Sequence, residues 1–496
     1  MSARPATCFP VPLEIPSMSV RHAPPVLPAL LALAASAHAA VVVHPAPAGE
    51  ERSKDYEVSI DGKQAPVYVA RVAPKDPALR WKAMDDKANS AQFYELASFA
   101  SFDLQGRARV VVTCREPVTS ARILPTAAGI APAVQGRQVT FSLAAPRHLT
   151  LEVNGTWVGA LHLFANPPET EIPRPDAPNV VYFGPGIHEV GHLQVKSGTT
   201  VYVAGGAVVR GVIQPDEKFH ISSYSGLKTY GPLIALEGDR ITLRGRGIID
   251  GTGCPTHSKN LLFVRGSDIT IEGVILRDSS TWTIPIRQSD RVAVRNVKLI
   301  GYRANSDGVD VCNSRDVTVE GCFIRTLDDL IVVKSDKGQG PVQRIRARGC
   351  VLWNEVAHAV SVGAELREDV EDVRFEDCDV IHDLGREWTM RVYHCDAATI
   401  RNIRFENLRI EEARKLISLW IGKAVWSRDA ERGRIRGVTF RNIAAAGEKP
   451  RIELMGFDAE HAVEDVSFQN VVLNGKPLAP ADVTSNAFVR NVSVAP

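Results

Sequence analysis

The sequence predicts an all-β protein, a right-handed parallel β-helix preceded by a small antiparallel β-sandwich. Two observations carry the helix. A five-residue pattern (apolar, any, apolar, any, then Gly, Asn or Asp) recurs from Ile241-Thr-Leu-Arg-Gly245 to Val466-Ser-Phe-Gln-Asn470, its copies starting at 241, 269, 292, 317, 345, 373, 403, 438 and 466. These starts are 23 to 35 residues apart, room for two or three short strands per repeat; a propeller blade would need ~40 residues or more. A third observation carries the sandwich. Between Asp55 and Phe164 the chain shows short alternating runs separated by polar turns, with no such repeat.

Alternation of apolar and polar residues is the strand period, and the closing Gly, Asn or Asp tolerates the left-handed backbone of a tight turn. Coils stacked at roughly 4.8 Å would bury the apolar positions in one central column. The residue after each turn is Val274, Val297, Cys322, Cys350, Cys378, Leu408, Ile443 and Val471 in eight successive copies. The three cysteines sit where the other copies place aliphatic residues, and they read as buried, unpaired core thiols. No C-x-x-C pair occurs, so neither a zinc site nor a disulfide framework is indicated.

The expected organisation is a signal peptide over 1–39, a β-sandwich over 40–165, a proline-rich linker over 166–177 and the β-helix over 178–496. Within the leader, Arg21 supplies a positive charge, Val26 to Ala35 an apolar stretch and Ala37-His38-Ala39 a cleavage signature. Met18 is a candidate start. The apolar stretch is too short to span a bilayer. The mature protein is therefore expected to be secreted or periplasmic, with no membrane association. The sandwich is expected to cap the open end of the helix, where strand edges would otherwise be unpaired, with extension of the cleft as the alternative.

Composition sets outer bounds. The 496 residues carry 58 Lys+Arg against 57 Asp+Glu, with 45% hydrophobic residues. Disorder and a miniature disulfide scaffold are excluded. A near-neutral chain also lacks the basic excess that nucleic-acid binding requires. Loss of residues 1–39 would remove Arg4, Glu14 and Arg21, leaving equal numbers of basic and acidic residues.

One stretch gathers carboxylates. Ala304-Asn305-Ser-Asp307-Gly-Val-Asp-Val311 is followed by Thr326-Leu-Asp328-Asp329-Leu-Ile-Val-Val-Lys334 and by Ala357-His358-Ala-Val-Ser-Val362. Aligning the segments at coil spacing puts Asp307, Asp329 and His358 in one column, with Trp282 one coil before and Trp388 one coil after. Asp328 lies beside its middle. Carboxylates this close repel, which separates a protonated acid from an ionised base, the pairing that glycoside hydrolysis needs. Exposed Trp282 and Trp388 would stack on sugar faces. Calcium prefers six to eight oxygens, so a histidine in the column fits metal-free acid/base chemistry better.

These segments resemble the polygalacturonase-type glycoside hydrolases, family 28, over roughly residues 178–440. That family carries an N-T-D segment, a D-D pair about one coil later, a G-H-G segment and an R-I-K segment. The counterparts are Asn305-Ser306-Asp307, Asp328-Asp329, Ala357-His358-Ala359 and Arg391-Val392-Tyr393. The resemblance implies a pectin-lyase-like solenoid in which Asp328 is the general acid, Asp307 and Asp329 activate water with inversion, and His358 tunes the acid. It also places Arg391 at the substrate. The expected binding set is completed by Tyr393, Asn305, Trp282, Trp388 and Lys334. No cofactor or metal is implied. The implied partner is a polysaccharide or oligosaccharide, most consistent with a pectic chain, and a monomer is expected.

Two departures keep alternatives open. Ala357 and Ala359 replace the flanking glycines, and Tyr393 replaces the lysine that, with the arginine, neutralises a sugar carboxylate. A preceding sandwich is similar to the related family 49 dextranases and isopullulanases, which act on neutral α-glucans. A calcium-dependent polysaccharide lyase or a carbohydrate-binding β-helix are readings from other classes.

Overall fold

The computed structural model describes residues 40–76, 78–79 and 93–496; the leader read at 18–39 lies outside them. The described residues between 40 and 166 form two sheets. One contains Ala40–Val43, Tyr68–Val72, Glu95–Gln105, Ala121–Leu124, Arg147–Val153 and Thr156–Asn166; the other contains Tyr56–Ile60, Lys63–Ala65, Ala108–Cys114, Ala133–Gln135 and Gln138–Leu143. Alternate residues of both, among them Val58, Phe102, Val110, Phe141, Leu151 and Leu163, share one apolar core. The first sheet is not wholly antiparallel: Leu161–Asn166 runs parallel to Ser98–Asp103.

From Val180 the chain winds into a parallel solenoid of three faces. The first face holds the repeats identified from sequence, in register: Ile269 pairs with Val292, then Val317, Ile345, Val373, Ile403, Val438 and Val466 follow rung by rung. Its interior includes a stack of Phe375, Phe405, Phe440 and Phe468 at 5.2, 4.9 and 5.1 Å. Cys322, Cys350 and Cys378 are fully buried in the predicted column, and all seven described cysteines are free thiols.

The closing turns hold Asn296, Asp377, Asn407, Asn442 and Asn470 at positive φ. Amide side chains there join neighbouring coils: Asn442 Nδ2 donates to Asn407 Oδ1 at 2.8 Å, and Asn470 Nδ2 to Asn442 Oδ1 at 2.9 Å. A second left-handed column runs through the strands of this face, at Asp268, Arg291, Asp316, Arg344, Asp372, Asn402, Gly437, Asp465 and Asn491, with Arg240 just before its strand. It bends each strand of the first face.

On the second face, residues alternate between the solenoid core and the N-terminal sheets. Ile249, Leu276, Leu299, Ile324 and Leu352 point inward. Val208, Ile248, Ile275, Ile300, Phe323, Val351 and Ile381 instead pack with Tyr68, Phe99, Leu124, Val158 and Phe164. The N-terminal sheets therefore flank the helix across successive coils, contrary to the end cap expected from sequence. Apolar burial along a whole side outweighs the protection of one edge. Buried polar pairs also cross this interface. Arg246 Nε donates to Asp103 at 2.6 Å, and His382 meets Glu152 at 2.5 Å.

Candidate active site

The third face places the site. Ile284, Val309, Ile331, Val360 and Met390 are paired in register, so the residues two positions earlier form a column: Trp282, Asp307, Asp329, His358 and Trp388. Backbone hydrogen bonds lock the steps, Gly308 N to Asp329 O at 2.8 Å and Leu330 N to His358 O at 2.9 Å. Gly308 is required beside Asp307 because any Cβ there would collide with the Leu330 carbonyl. Ser306 Oγ accepts from Leu327 N at 3.3 Å, tying the first acidic segment to the second. Ala73 and Phe93 of the N-terminal region pack against Leu327 and Val356, behind the acidic pair.

Side-chain oxygens of Asp307, Asp328 and Asp329 lie within 4.8 Å of one another, on the wall of a cleft of about 790 Å³. Asp307 and Asp329 are buried, whereas Asp328 is half-buried and is the most accessible of the three. Burial raises all three carboxyls above the usual range. For Asp307 the Asp310 charge adds to burial, and Asp329 is pushed up to about 7. The trio therefore titrates as one unit that retains a proton in mild acid.

Opposing charge comes from the chain itself. Lys334 Nζ lies 3.1 Å from Asp307 Oδ2 and 3.0 Å from Asp310 Oδ1. Burial opposes its charge, but the two aspartates outweigh burial and hold the ammonium protonated. Arg391 stands 4.0 Å from Asp329 Oδ2. His358 donates Nδ1–H to the Trp388 carbonyl at 2.8 Å, leaving Nε2 as a lone-pair nitrogen 3.7 Å from Asp329 Oδ1. Burial first, then Arg391, push His358 well below its usual value, so it is neutral. A neutral imidazole, a protonated carboxyl and ionised carboxylates make a proton-transfer set. By spacing the three aspartates could also share a cation, although Lys334 already occupies the side of Asp307.

The family comparison fits this arrangement. The model for glycosyl hydrolases family 28 matches residues 186–493, well over half of the chain. The chain belongs to glycosyl hydrolases family 28. It is 23% identical over 244 residues to an exopolygalacturonase of Zea mays, and 22% identical over 264 residues to a polygalacturonase of Juniperus ashei. These matches cover 43% and 50% of this chain. The chain spans only 57% and 50% of those two relatives' lengths. Dex49A from Penicillium minioluteum shares the fold, with a TM-score of 0.58 and 12% identity over 91% of this chain and 96% of that one.

Set in this family 28 site, nine of the ten residues read from sequence line the cleft: Asp307, Asp328, Asp329, His358, Asn305, Trp282, Lys334, Arg391 and Tyr393. Trp388 does not. It is only 8% exposed, with Lys415 Nζ 5.7 Å and Arg451 Cζ 5.6 Å from its ring centre. Its contribution to the site is the carbonyl that orients His358. The reading of Lys334 as a substrate ligand also changes, because its ammonium is committed to Asp307 and Asp310 and it is buried. It positions the acidic cluster. Trp282 is half-buried beneath cations, with Lys334 Nζ 4.0 Å from its ring centre.

Arg391 donates Nε–H to Ser361 Oγ at 3.1 Å, and Tyr393 stacks face to face on Trp420 at 4.2 Å. Ala359 is fully buried in the helix core and Ala357 accepts from Asn354 Nδ2 at 2.8 Å, so both fit where the family pattern has glycine. Sequence reading missed Asp310, His220, Tyr224, Glu365, Trp426 and Arg428. Asp310 was visible as the second acid of Asp307-Gly-Val-Asp310; the other five carried no periodic signal.

Proposed function

We propose that the protein is a glycoside hydrolase that cleaves α-linked bonds in a pectic polysaccharide with inversion of configuration. The observation that carries this reading is the cluster of Asp307, Asp328 and Asp329 on the wall of an open cleft. Asp328, the most accessible of the three, protonates the departing glycosidic oxygen. Asp307 and Asp329 hold and deprotonate the attacking water. Neutral His358 and cationic Arg391, both beside Asp329, keep a proton within the acidic unit while allowing one carboxylate to ionise. Family 28 membership and the polygalacturonase relatives support the pectic substrate.

The facing oxygens are closer than the ~6.5–9.5 Å usual between the carboxyls of inverting enzymes. Inversion here therefore requires a water held by two carboxylates at once. The same spacing favours a second reading, in which Asp307 or Asp329 attacks the sugar directly and configuration is retained. Anomer-resolved NMR of the first product separates them: inversion supports water activation, and retention overturns it. A reducing-end assay across polygalacturonan, rhamnogalacturonan, dextran and pullulan tests the substrate, and activity confined to dextran or pullulan would replace the pectic reading with a neutral α-glucan one. The leader read at 18–39 makes the protein an exported one, which N-terminal sequencing of the mature protein checks.

A further inference from the structure

Four cations of the cleft already have partners. Lys334 is held by Asp307 and Asp310, Arg391 by Ser361 beside Asp329, Arg287 by Asp336 and Arg386 by Glu387. Arg428 differs. Its exposed guanidinium makes one hydrogen bond, from Nη1 to the Val425 carbonyl at 3.3 Å, and pairs with no carboxylate among the described residues.

The backbone beneath it is fixed. The N–H groups of Arg428 and Asp429 both donate to buried Asp396 Oδ1, at 2.6 and 2.8 Å. Buried Arg432 closes the loop from within, donating to Ser427 Oγ at 3.1 Å and to the Asp429 carbonyl at 2.6 Å. This loop lies in the longest interval of the repeat, between the copies at 403 and 438. It also carries Trp426, which is 41% exposed and meets Tyr393 edge-on at 6.5 Å. A preorganised loop thus aims an uncommitted guanidinium and an indole into the cleft, next to the position where the family's lysine is absent. A guanidinium matches a carboxylate with two parallel hydrogen bonds.

We propose that Arg428 binds the carboxylate of a uronic acid residue of the substrate, in place of the lysine that Tyr393 displaces, while Trp426 contacts the sugar ring. This rests on the pectic reading above. The test is steady-state kinetics on polygalacturonan for the wild type, Arg428→Gln and Arg428→Lys, at low and high salt, with melting temperatures recorded for each. Arg428→Gln is expected to raise KM about tenfold, the loss of a charge-assisted contact, with kcat changed less than about twofold. Its KM should lose most of the salt dependence of the wild type, and Arg428→Lys should recover part of the affinity. An active wild type with an Arg428→Gln KM and salt response unchanged would overturn this role for Arg428 alone. A wild type inactive on polygalacturonan and rhamnogalacturonan alike would overturn it together with the pectic reading.

Discussion

Lys334 Nζ sits 3.1 Å from Asp307 Oδ2, and the two residues come from adjacent coils of the solenoid. The lysine opposes, without cancelling, the proton affinity that burial and Asp310 give this carboxyl, which still titrates well above its ordinary range. Lys334→Met should therefore lower kcat/KM about a hundredfold, the order of loss for one preorganised charge. It should also move the acidic limb of the pH–activity profile to higher pH, because Asp307 then ionises later. A pH profile of the variant with an unmoved acidic limb would remove Asp307 from the set that must be ionised.

Hydrolysis by the acidic trio needs one retained proton, and Asp329 is pushed up to about 7 by burial, with Asp328 adding to the shift. The profile of kcat/KM should fall on its alkaline side as the trio loses its last proton, a loss that burial moves above the ordinary carboxylate range. Initial rates across a pH series check this. A rate that keeps climbing with no alkaline fall would mean that no carboxyl acts as an acid.

The interface between the N-terminal sheets and the helix has its own pH dependence. Burial disfavours the His382 cation, but hydrogen bonds to Glu152 and Glu412 outweigh it, so His382 titrates above its ordinary value. The stabilisation is complete below the unfolded value of about 6.5 and is lost as pH rises through the higher folded value. Glu152→Gln should cost about 3 kcal/mol in mild acid and progressively less in mild alkali. Urea unfolding at both pH values measures the narrowing gap.

Asn442 serves the solenoid twice, through its amide bridge and through its φ of +54°. Asn442→Ala should destabilise the protein by about 1–2 kcal/mol, since an alanine in that conformation already costs about 1 kcal/mol. Asn442→Gly keeps the turn geometry and should lose less. Chemical denaturation of both variants distinguishes backbone strain from the lost amide ladder.

The solenoid was legible because every coil repeats one alternating strand ended by a left-handed residue, and the acidic column was legible because coil spacing transfers register. Trp388 shows where that transfer stops. A column position fixes the backbone, but Lys415 and Arg451 come from later coils and cover the ring. The second left-handed column was hidden because Arg240, Arg291 and Arg344 are not residues that announce a turn. The side-on docking was hidden as well: strands such as Ile248–Asp250 and Ile275–Arg277 are three residues long, too short to show that alternate residues face a second partner. Trp426 and Arg428 lie in an insertion that sequence showed only as a longer interval.

The central claim is that Asp328 delivers the proton that breaks a pectic glycosidic bond. Reducing-end release from polygalacturonan by the wild type and by Asp328→Asn tests it most directly, with melting temperatures to confirm that both are folded. The expected result is steady release by the wild type and a loss of about a thousandfold or more in the variant, at an unchanged melting temperature. A folded Asp328→Asn enzyme that keeps its activity within about tenfold of wild type would contradict the account.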